Sequence, residues 1–285
     1  MPYPLLSLSV SGAPRDGPAI HEGLARLRIG CPAGKRPRRG DRPGANQPGP
    51  PNLSAVETDT EGRVVYVDLQ TAVQNEGFAT LRESLVSNRP SERLLSRLPP
   101  INRGRLLVEI EAETTLAHFS AWLGAALVSE ATGAALRRLL APLGPRLRLL
   151  GAQWIVPKAT EYEPKIAAQT PHTDVDAKGE VVSIALNVAG NEMGTLIDAK
   201  ARIGGDGSVV DGCGFGRAAT PAFAYDTGAV HGGPGVARVD GPYPKYFIER
   251  AFFLLSADDL PEDRIAQHRR DNELRGRVDL VVGVL

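Results

Sequence analysis

The sequence predicts an α+β domain in which helices buttress one face of a β-barrel. Helical periodicity dominates the chain up to about residue 143, and after Pro145 short β-rich runs separated by Gly and Pro follow one another. Helices first and strands second are typical of an α+β fold, and a series of short strands is typical of a sandwich or barrel. With 285 residues and a hydrophobic fraction of 42%, the chain can bury a sizeable core.

The beginning of the chain is dense in Gly, Pro and Arg and short of aliphatic residues. Such a composition cannot bury enough apolar surface to offset the entropy lost on ordering. We therefore expect residues 1–54 to form a disordered arm and residues 55–285 to form the domain. A basic cluster at 35–39 lies in this arm, where it could be a nuclear signal, an anionic docking site or a solvated tail.

Two helical patterns follow a first β-rich run. The run at 64–67 predicts a strand, and Asp68 after it is a plausible N-cap. Apolar residues then recur at helical spacing over 69–85, and this helix ends before Pro90. A second pattern covers 114–143, where Gly133 divides it into two helices. We interpret both apolar stripes as core packing.

The second half of the chain predicts strands. The β-rich runs lie at 147–156, 181–188, 194–198, 222–225 and 246–256. A charged segment at 261–277 predicts a further helix, and the apolar end at 279–285 predicts an edge strand.

Composition argues against several classes of function. Lys plus Arg equals Asp plus Glu at 33 each, so no whole-chain field indicates nucleic acid or an anionic membrane. Cys31 and Cys213 have no paired spacing, which predicts neither a disulfide framework nor a Cys-based zinc site. No apolar run of about 18 residues is present to span a membrane. We expect a soluble protein of a reducing compartment, cytoplasmic or nuclear, with a small-molecule or peptide substrate; the oligomeric state stays open.

Three residues form a candidate metal site: His172, Asp174 and His231. His172 and Asp174 lie two positions apart just ahead of a predicted strand, and alternate strand residues project to the same face. His231 stands at a strand end beside glycines that allow close approach. Two imidazoles and one carboxylate are the ligand set of a non-haem iron(II) oxygenase. The alternative is that both histidines are ordinary hydrogen-bonded residues.

The predicted strand at 246–256 carries one Arg among apolar residues. By alternation, Arg250 shares a face with Phe252 and Leu254. If that face lines the barrel, Arg250 is a buried cation that requires an anionic partner, because burying an unpaired charge is costly. A dicarboxylate held bidentately would supply that partner.

The set His172-x-Asp174, His231 and a downstream strand Arg resembles the iron(II) and 2-oxoglutarate-dependent dioxygenases. Gln169-x-x-His172-x-Asp174 with His231-x-Gly233 is similar to the phytanoyl-CoA hydroxylase-like branch, and the resemblance covers about 154–257. It implies a double-stranded β-helix, or jelly-roll barrel, with Fe(II) at one mouth and 2-oxoglutarate as cosubstrate. It also implies release of succinate and CO2, and an intact Asp174 favours hydroxylation over halogenation.

Two features depart from the pattern of that family. The loop at 236–244 lengthens the interval between His231 and the strand Arg, so Arg238 or Lys245 could hold the cosubstrate instead of Arg250. We favour Arg250 because it alone lies inside a predicted strand.

The second departure is Phe252, which stands where the family often places Ser or Thr. Tyr162, Lys158 or Thr227 could provide the missing donor. Two rival functions remain: a cupin-type metalloenzyme with the same ligands but without 2-oxoglutarate, and a non-catalytic binding protein on the same barrel.

Overall fold

The computed structural model describes residues 50–98, 105–157, 169–175, 178–189, 195–233, 249–271 and 281–282. The strands within these ranges are β1 (Val56–Thr58), β2 (Val64–Asp68), β3 (Arg105–Glu109), β4 (Leu147–Pro157), β5 (Val181–Ala189), β6 (Thr195–Asp198), β7 (Arg202–Ile203), β8 (Val209–Val210), β9 (Gly216–Ala218), β10 (Ala222–Asp226), β11 (Val230–Gly232), β12 (Glu249–Ala257) and β13 (Val281–Val282). The α-helices are α1 (Glu76–Ser87), α2 (Glu92–Arg97), α3 (Glu113–Val128), α4 (Gly133–Leu140) and α5 (Glu262–Asp271).

Two antiparallel sheets form the β part of the domain. The larger has the strand order β1-β2-β10-β5-β12-β4-β13, with β3 also paired to β4, and the smaller has the order β11-β6-β9. Strands β7 and β8 form a separate two-stranded ladder. The mixed α and antiparallel β architecture is as predicted. The described strands form two sheets that pack on each other, and no hydrogen-bonded ladder among them closes these sheets into one barrel.

The face between the two sheets is the interior in which the candidate site lies. Its buried cluster joins Tyr66, Phe223, Tyr225 and Phe252 of the larger sheet to Ile197 of the smaller one. Residues of one strand that point to the same face alternate along the sequence, and Phe223 and Tyr225 of β10 follow this rule. We refer to this face as the interior.

The opposite face of the larger sheet is covered by helices α1, α3 and α4, as the sequence predicts. Phe119 of α3 stacks on Phe253 of β12, with ring centroids 3.8 Å apart. Trp122 of α3 is fully buried and donates its indole N–H to the Ala72 carbonyl oxygen at 3.0 Å. A buried indole that has its hydrogen bond adds apolar area at no cost in unsatisfied polar groups. The helices are therefore a structural layer behind the site.

The first helical pattern divides where the sequence predicted one helix. Residues Gln70–Gln74 form a 3₁₀ turn, and α1 begins only after Asn75, whose side chain accepts the Phe78 N–H. Asp68, predicted as the N-cap, instead accepts the Gln70 N–H at the start of the 3₁₀ turn. Helix α1 begins after Asn75 and not after Asp68 because Asn is among the best N-cap residues. The predicted break at Gly133 is confirmed.

Both ends of the chain are described in part. Residues 1–49, with the basic cluster of the predicted arm, lie outside the described residues. The arm was predicted to reach residue 54, whereas the Pro51 carbonyl oxygen and the Leu53 N–H both bond to Arg217 of β9. The predicted C-terminal helix and edge strand correspond to α5 and to β13, which pairs with β4.

Among the described helices none is long and apolar enough alone to cross a membrane. Only α3 together with the following Gly133–Leu143 segment, bent by 111°, passes that test as a pair.

Candidate metal centre

Two short chain segments, 169–175 and 226–233, pair through their backbones and bring the three predicted ligands together. His172 and His231 form an isolated antiparallel bridge in which each N–H donates to the carbonyl oxygen of the other at 2.9 Å. Gln169 extends this pairing, because its N–H donates to Gly233 O at 2.9 Å and its side-chain oxygen accepts Gly233 N–H at 2.6 Å. A Cβ at Gly232 would lie 3.3 Å from the Gln169 carbonyl oxygen, so this glycine permits the close approach.

The ligand atoms of the three side chains converge. His172 Nε2 lies 3.5 Å from Asp174 Oδ1, and His231 Nε2 lies 3.4 Å from Asp174 Oδ2. One ligand atom from each residue can be chosen so that all three lie within 4.8 Å of one another. Ligand atoms bound about 2 Å from one ion at right angles are about 3 Å apart. The spacing therefore suits a single metal ion, with the His231 side chain buried and the His172 side chain one-third exposed.

Hydrogen bonds to the backbone fix which imidazole nitrogen faces the site. His172 Nδ1 lies 2.7 Å from the Thr170 carbonyl oxygen, and His231 Nδ1 lies 2.9 Å from the Ala229 carbonyl oxygen. A carbonyl oxygen can only accept, so each Nδ1 carries a proton, and Nε2 is the ring nitrogen that faces Asp174 and is placed to bind a metal. A backbone carbonyl on the distal ring nitrogen is a usual orienting contact of a metal-binding histidine.

The electrostatics of the site favour an ionised carboxylate. Burial raises the pKa of the Asp174 carboxyl, but His231 and His172 beside it outweigh burial and hold that pKa well below its usual range. Tyr225 stands edge-on to His231, with ring centroids 5.0 Å apart. Burial, and then the charge of Asp174, raise the pKa of the Tyr225 phenol, which stays neutral. Two imidazoles and one carboxylate are donors that suit a divalent first-row transition metal, and three protein ligands leave coordination positions open.

Arg250 lies on the interior face of β12, as the alternation predicts. It is 6% exposed and shares the face with Phe252, while Phe253 points into the helix layer. Its guanidinium lies over the Phe223 ring, 5.5 Å from the centroid. Leu254, the next residue on the same face, joins a separate cluster beneath α5.

Two neighbours of Arg250 were not predicted from the sequence. Arg250 Nε donates to Asn187 Oδ1 at 2.7 Å, and Nη1 donates to the Thr195 hydroxyl oxygen at 2.7 Å. Asn187 is in turn fixed by donating to the Thr220 carbonyl oxygen at 2.6 Å. Asn187 could have been noticed in the sequence as the one amide side chain in the aliphatic run at 181–188. Nothing comparable in the sequence distinguishes Thr195.

The other predicted cosubstrate residues are placed differently. Thr227 is fully buried in the turn between β10 and β11, where its hydroxyl donates to the Val181 carbonyl oxygen at 3.0 Å. That hydroxyl contributes to the turn, and a role in binding 2-oxoglutarate stays a prediction. The remaining four candidates, Lys158, Tyr162, Arg238 and Lys245, lie outside the described residues.

No family model matches the sequence, and no curated protein matches it either. Among solved structures, the chain is similar to the non-heme alpha-ketoglutarate-dependent epimerase SnoN from nogalamycin biosynthesis, at 16% identity over 68% of this chain and 79% of that chain, with a TM-score of 0.43. HygX from Streptomyces hygroscopicus, with nickel and 2-oxoglutarate bound, is 14% identical over 72% and 88%, with a TM-score of 0.33. The nickel complex of the non-heme monooxygenase ThoJ is 13% identical over 72% and 75%, with a TM-score of 0.30. All three likenesses fall below the level that identifies a common function.

Proposed function

We propose that this protein is a non-haem iron(II) and 2-oxoglutarate-dependent dioxygenase of the phytanoyl-CoA hydroxylase-like branch, built on a double-stranded β-helix. It would hydroxylate a small molecule or peptide and release succinate and CO2. The observation that carries the proposal is the convergence of His172, Asp174 and His231 on one point, with two oriented Nε2 atoms facing one carboxylate. Arg250 on the same interior supports the choice of cosubstrate.

The three ligands would hold iron(II) through two imidazole nitrogens and one carboxylate oxygen. When bound, iron(II) and 2-oxoglutarate supply the oxidative chemistry, in which O2 is consumed, the cosubstrate is decarboxylated and the substrate is hydroxylated. The role of the protein is to orient the metal, the cosubstrate and the substrate and to enclose them. The backbone pairing at 169–175 and 226–233 fixes the ligands before any ion arrives, and Tyr225 closes one side of the site with an apolar ring.

The distal carboxylate of 2-oxoglutarate would pair with Arg250. Asn187 accepts from Nε of the guanidinium, Thr195 accepts from Nη1, and the group lies over the Phe223 ring, so the orientation of the charged group is set. A planar guanidinium in a fixed orientation recognises a carboxylate through paired N–H groups. This geometry supports Arg250 over Arg238 and Lys245.

Thr195 would supply the second donor that the resemblance to the dioxygenases implies. Its oxygen accepts from Arg250 Nη1, so its own proton is available for donation to a carboxylate on that guanidinium. Thr195 is 5% exposed and sits at the start of β6, whereas the expected position on β12 is occupied by Phe252. We infer that the second donor comes from the neighbouring sheet.

The interior face of β10 links the two ends of this cosubstrate site. Tyr225 contacts His231 at one end, and Phe223 lies under Arg250 at the other. Same-face residues on a strand are about 7 Å apart, and a five-carbon dicarboxylate in extended form has a similar length. The keto-acid end of 2-oxoglutarate would thus lie at the metal and its far carboxylate at Arg250.

The test is turnover of 2-oxoglutarate by the full chain. We expect purified protein with iron(II), ascorbate and O2 to convert 2-oxoglutarate slowly to equal amounts of succinate and CO2 even without its substrate, and Asp174→Ala to abolish this. Metal binding without succinate formation and without 2-oxoglutarate binding would overturn the proposal in favour of a cupin-type enzyme. Failure to bind any divalent metal would overturn it in favour of a non-catalytic protein.

A further inference from the structure

Asp226, the last residue of β10, is a buried carboxylate that joins the two ligand-bearing parts of the chain. It is 4% exposed. Its Oδ2 accepts the Gly179 N–H at 2.7 Å, and its Oδ1 accepts the Gly228 N–H at 2.8 Å. Gly228 lies in the turn that leads to His231, and Gly179 belongs to the connection that leads from Asp174 to β5. The Asp226 side chain therefore connects the segment that precedes His231 to the segment that follows Asp174.

The residue after Asp226 extends this tie. The Thr227 carbonyl oxygen accepts the Asp174 N–H at 2.9 Å. The Thr227 N–H and hydroxyl both donate to the Val181 carbonyl oxygen at 3.0 Å. The chain between Asp174 and Val181 is thus bonded to the turn at 226–228 at its start, near its middle and at its end.

The glycine that meets Asp226 has a conformation suited to this contact. Gly179 has a φ of +81°, which L side chains rarely adopt, and a Cβ there would lie 2.9 Å from the side chain of Pro142. The close packing and the positive φ fix the direction of the Gly179 N–H, which points at the Asp226 carboxylate. A buried carboxylate with two amide donors forms strong, directional hydrogen bonds.

We propose that Asp226 is a positioning residue for the metal centre, and that its carboxylate holds Asp174 at the distance from His172 and His231 that one ion requires. The inference rests on the proposed metal site and adds a residue that does not touch the metal. Ligand orientation by such supporting contacts typically accounts for about 10- to 100-fold in metal affinity. The His172–His231 bridge and the Gln169–Gly233 pairing are independent of Asp226, so the two histidines keep their places when it is changed.

The chain offers a matched control in Asp198, a second buried carboxylate that holds a loop. It is 3% exposed and accepts the backbone N–H groups of Lys200 and Ala201 just after β6 and of Gly214 just before β9. Asp198→Asn should therefore lower the thermal midpoint about as much as Asp226→Asn does. Only the change at Asp226 should alter the metal site.

The experiment uses the full-length protein and titrates it with Ni(II), and with Co(II) for its visible bands. We expect Asp226→Asn to weaken Ni(II) binding about 10- to 100-fold and to change the Co(II) spectrum, while Asp198→Asn changes neither. Thr227→Val, which removes only the hydroxyl bond to Val181, should give a smaller loss that Thr227→Ser restores. If Asp226→Asn does not fold, Asp226→Glu decides the question, because it keeps the charge but displaces the carboxylate from the Gly179 and Gly228 N–H groups and should weaken Ni(II) binding in the same way.

The outcomes separate this inference from the proposed function. If the wild-type protein binds Ni(II) and Asp226→Asn binds it as tightly with an unchanged Co(II) spectrum, Asp226 is structural only and the proposed function stands. If the wild-type protein binds neither metal, the proposed metal site itself is wrong. Equal losses in the Asp226 and Asp198 variants would also overturn the positioning role, because they would reflect stability alone.

Discussion

His172 and His231 face each other across a single backbone bridge, with each N–H donating to the carbonyl oxygen of the other at 2.9 Å. Their ring centroids are 4.6 Å apart, and both rings are further held by an Nδ1 contact to a carbonyl oxygen two residues earlier. The backbone therefore fixes the positions of the two imidazoles. A site assembled in this way is formed before metal binds and pays little reorganisation on binding.

The first prediction concerns the ligands themselves. We expect His231→Ala to weaken Ni(II) binding by more than about 100-fold, since losing a ligand should exceed the loss caused by a supporting residue. His118→Ala, which changes a histidine of α3 behind the sheet, should bind Ni(II) as the wild type does. Isothermal titration of the three proteins measures the difference. Retention of wild-type affinity by His231→Ala would remove His231 from the site.

The second prediction concerns Arg250. Removing one partner of a buried charge pair costs roughly 2–5 kcal/mol, so Arg250→Ala should weaken 2-oxoglutarate binding by about 30-fold or more. Ni(II) affinity should be unchanged, because the ligands do not depend on this side chain. Titration of the Ni(II)-loaded protein with 2-oxoglutarate measures this binding. Arg146→Ala, at a surface residue, serves as the control.

Arg238→Ala and Lys245→Ala complete that comparison. If Arg250 holds the distal carboxylate, both variants should bind 2-oxoglutarate within about twofold of the wild type. A large loss in either of them, with Arg250→Ala unaffected, would assign the distal carboxylate to that residue instead of Arg250.

The third prediction concerns Thr195. Its hydroxyl bonds to Arg250, and a hydrogen bond to a charged group contributes about 1.5–3 kcal/mol. Thr195→Val keeps the shape of the side chain but removes the hydroxyl, so we expect the KM for 2-oxoglutarate to rise about tenfold with little change in kcat. Thr195→Ser should restore most of the affinity. An unchanged KM in Thr195→Val would show that the second donor lies elsewhere.

The fourth prediction concerns pH and the packing of α5. Arg264 donates to both carboxylate oxygens of Glu180, at 2.9 and 2.7 Å. These bonds, opposed by burial and reinforced by His268, hold the pKa of the Glu180 carboxyl below its usual value of 4.5. Because the pKa is lower in the folded state, the stabilisation is fully present above the unfolded-state pKa and is lost as the pH falls through the folded-state pKa.

We therefore expect Glu180→Gln to lower the thermal midpoint at neutral pH, and the gap from the wild type to narrow as the pH falls below 4.5. Circular dichroism melts across that range measure the gap. Glu262→Gln serves as the control, since Glu262 is 65% exposed in its pair with Arg148 and such surface pairs contribute little. A gap that stays constant with pH would show that the charge of Glu180 is not what matters.

Local sequence patterns were sufficient to predict that His172, Asp174 and His231 lie together and that Arg250 faces the interior. The spacing of His172 and Asp174, the glycines after His231 and the alternation on β12 are all short-range signals. That these residues bind iron(II) and 2-oxoglutarate stays a prediction. The helix layer follows equally from the apolar periodicity of α3 and α4.

These local patterns could not predict contacts between residues that are far apart in the sequence. Thr195 meets Arg250 because β6 faces β12 across the interior, and nothing within a few residues of Thr195 signals that contact. Asp226 likewise depends on a hydrogen bond to Gly179, far away in the chain. The short strand β3 and the ladder of β7 and β8 were missed because their stability comes from pairing and not from their own composition.

The most direct test of the proposed chemistry is the visible absorption of the anaerobic protein during titration with iron(II) and 2-oxoglutarate. We predict a weak charge-transfer band that requires both additions, saturates at one equivalent of each and does not form in Asp174→Ala. Folded wild-type protein that binds iron(II) but gives no band at saturating 2-oxoglutarate would contradict the assignment of this site to a 2-oxoglutarate-dependent dioxygenase.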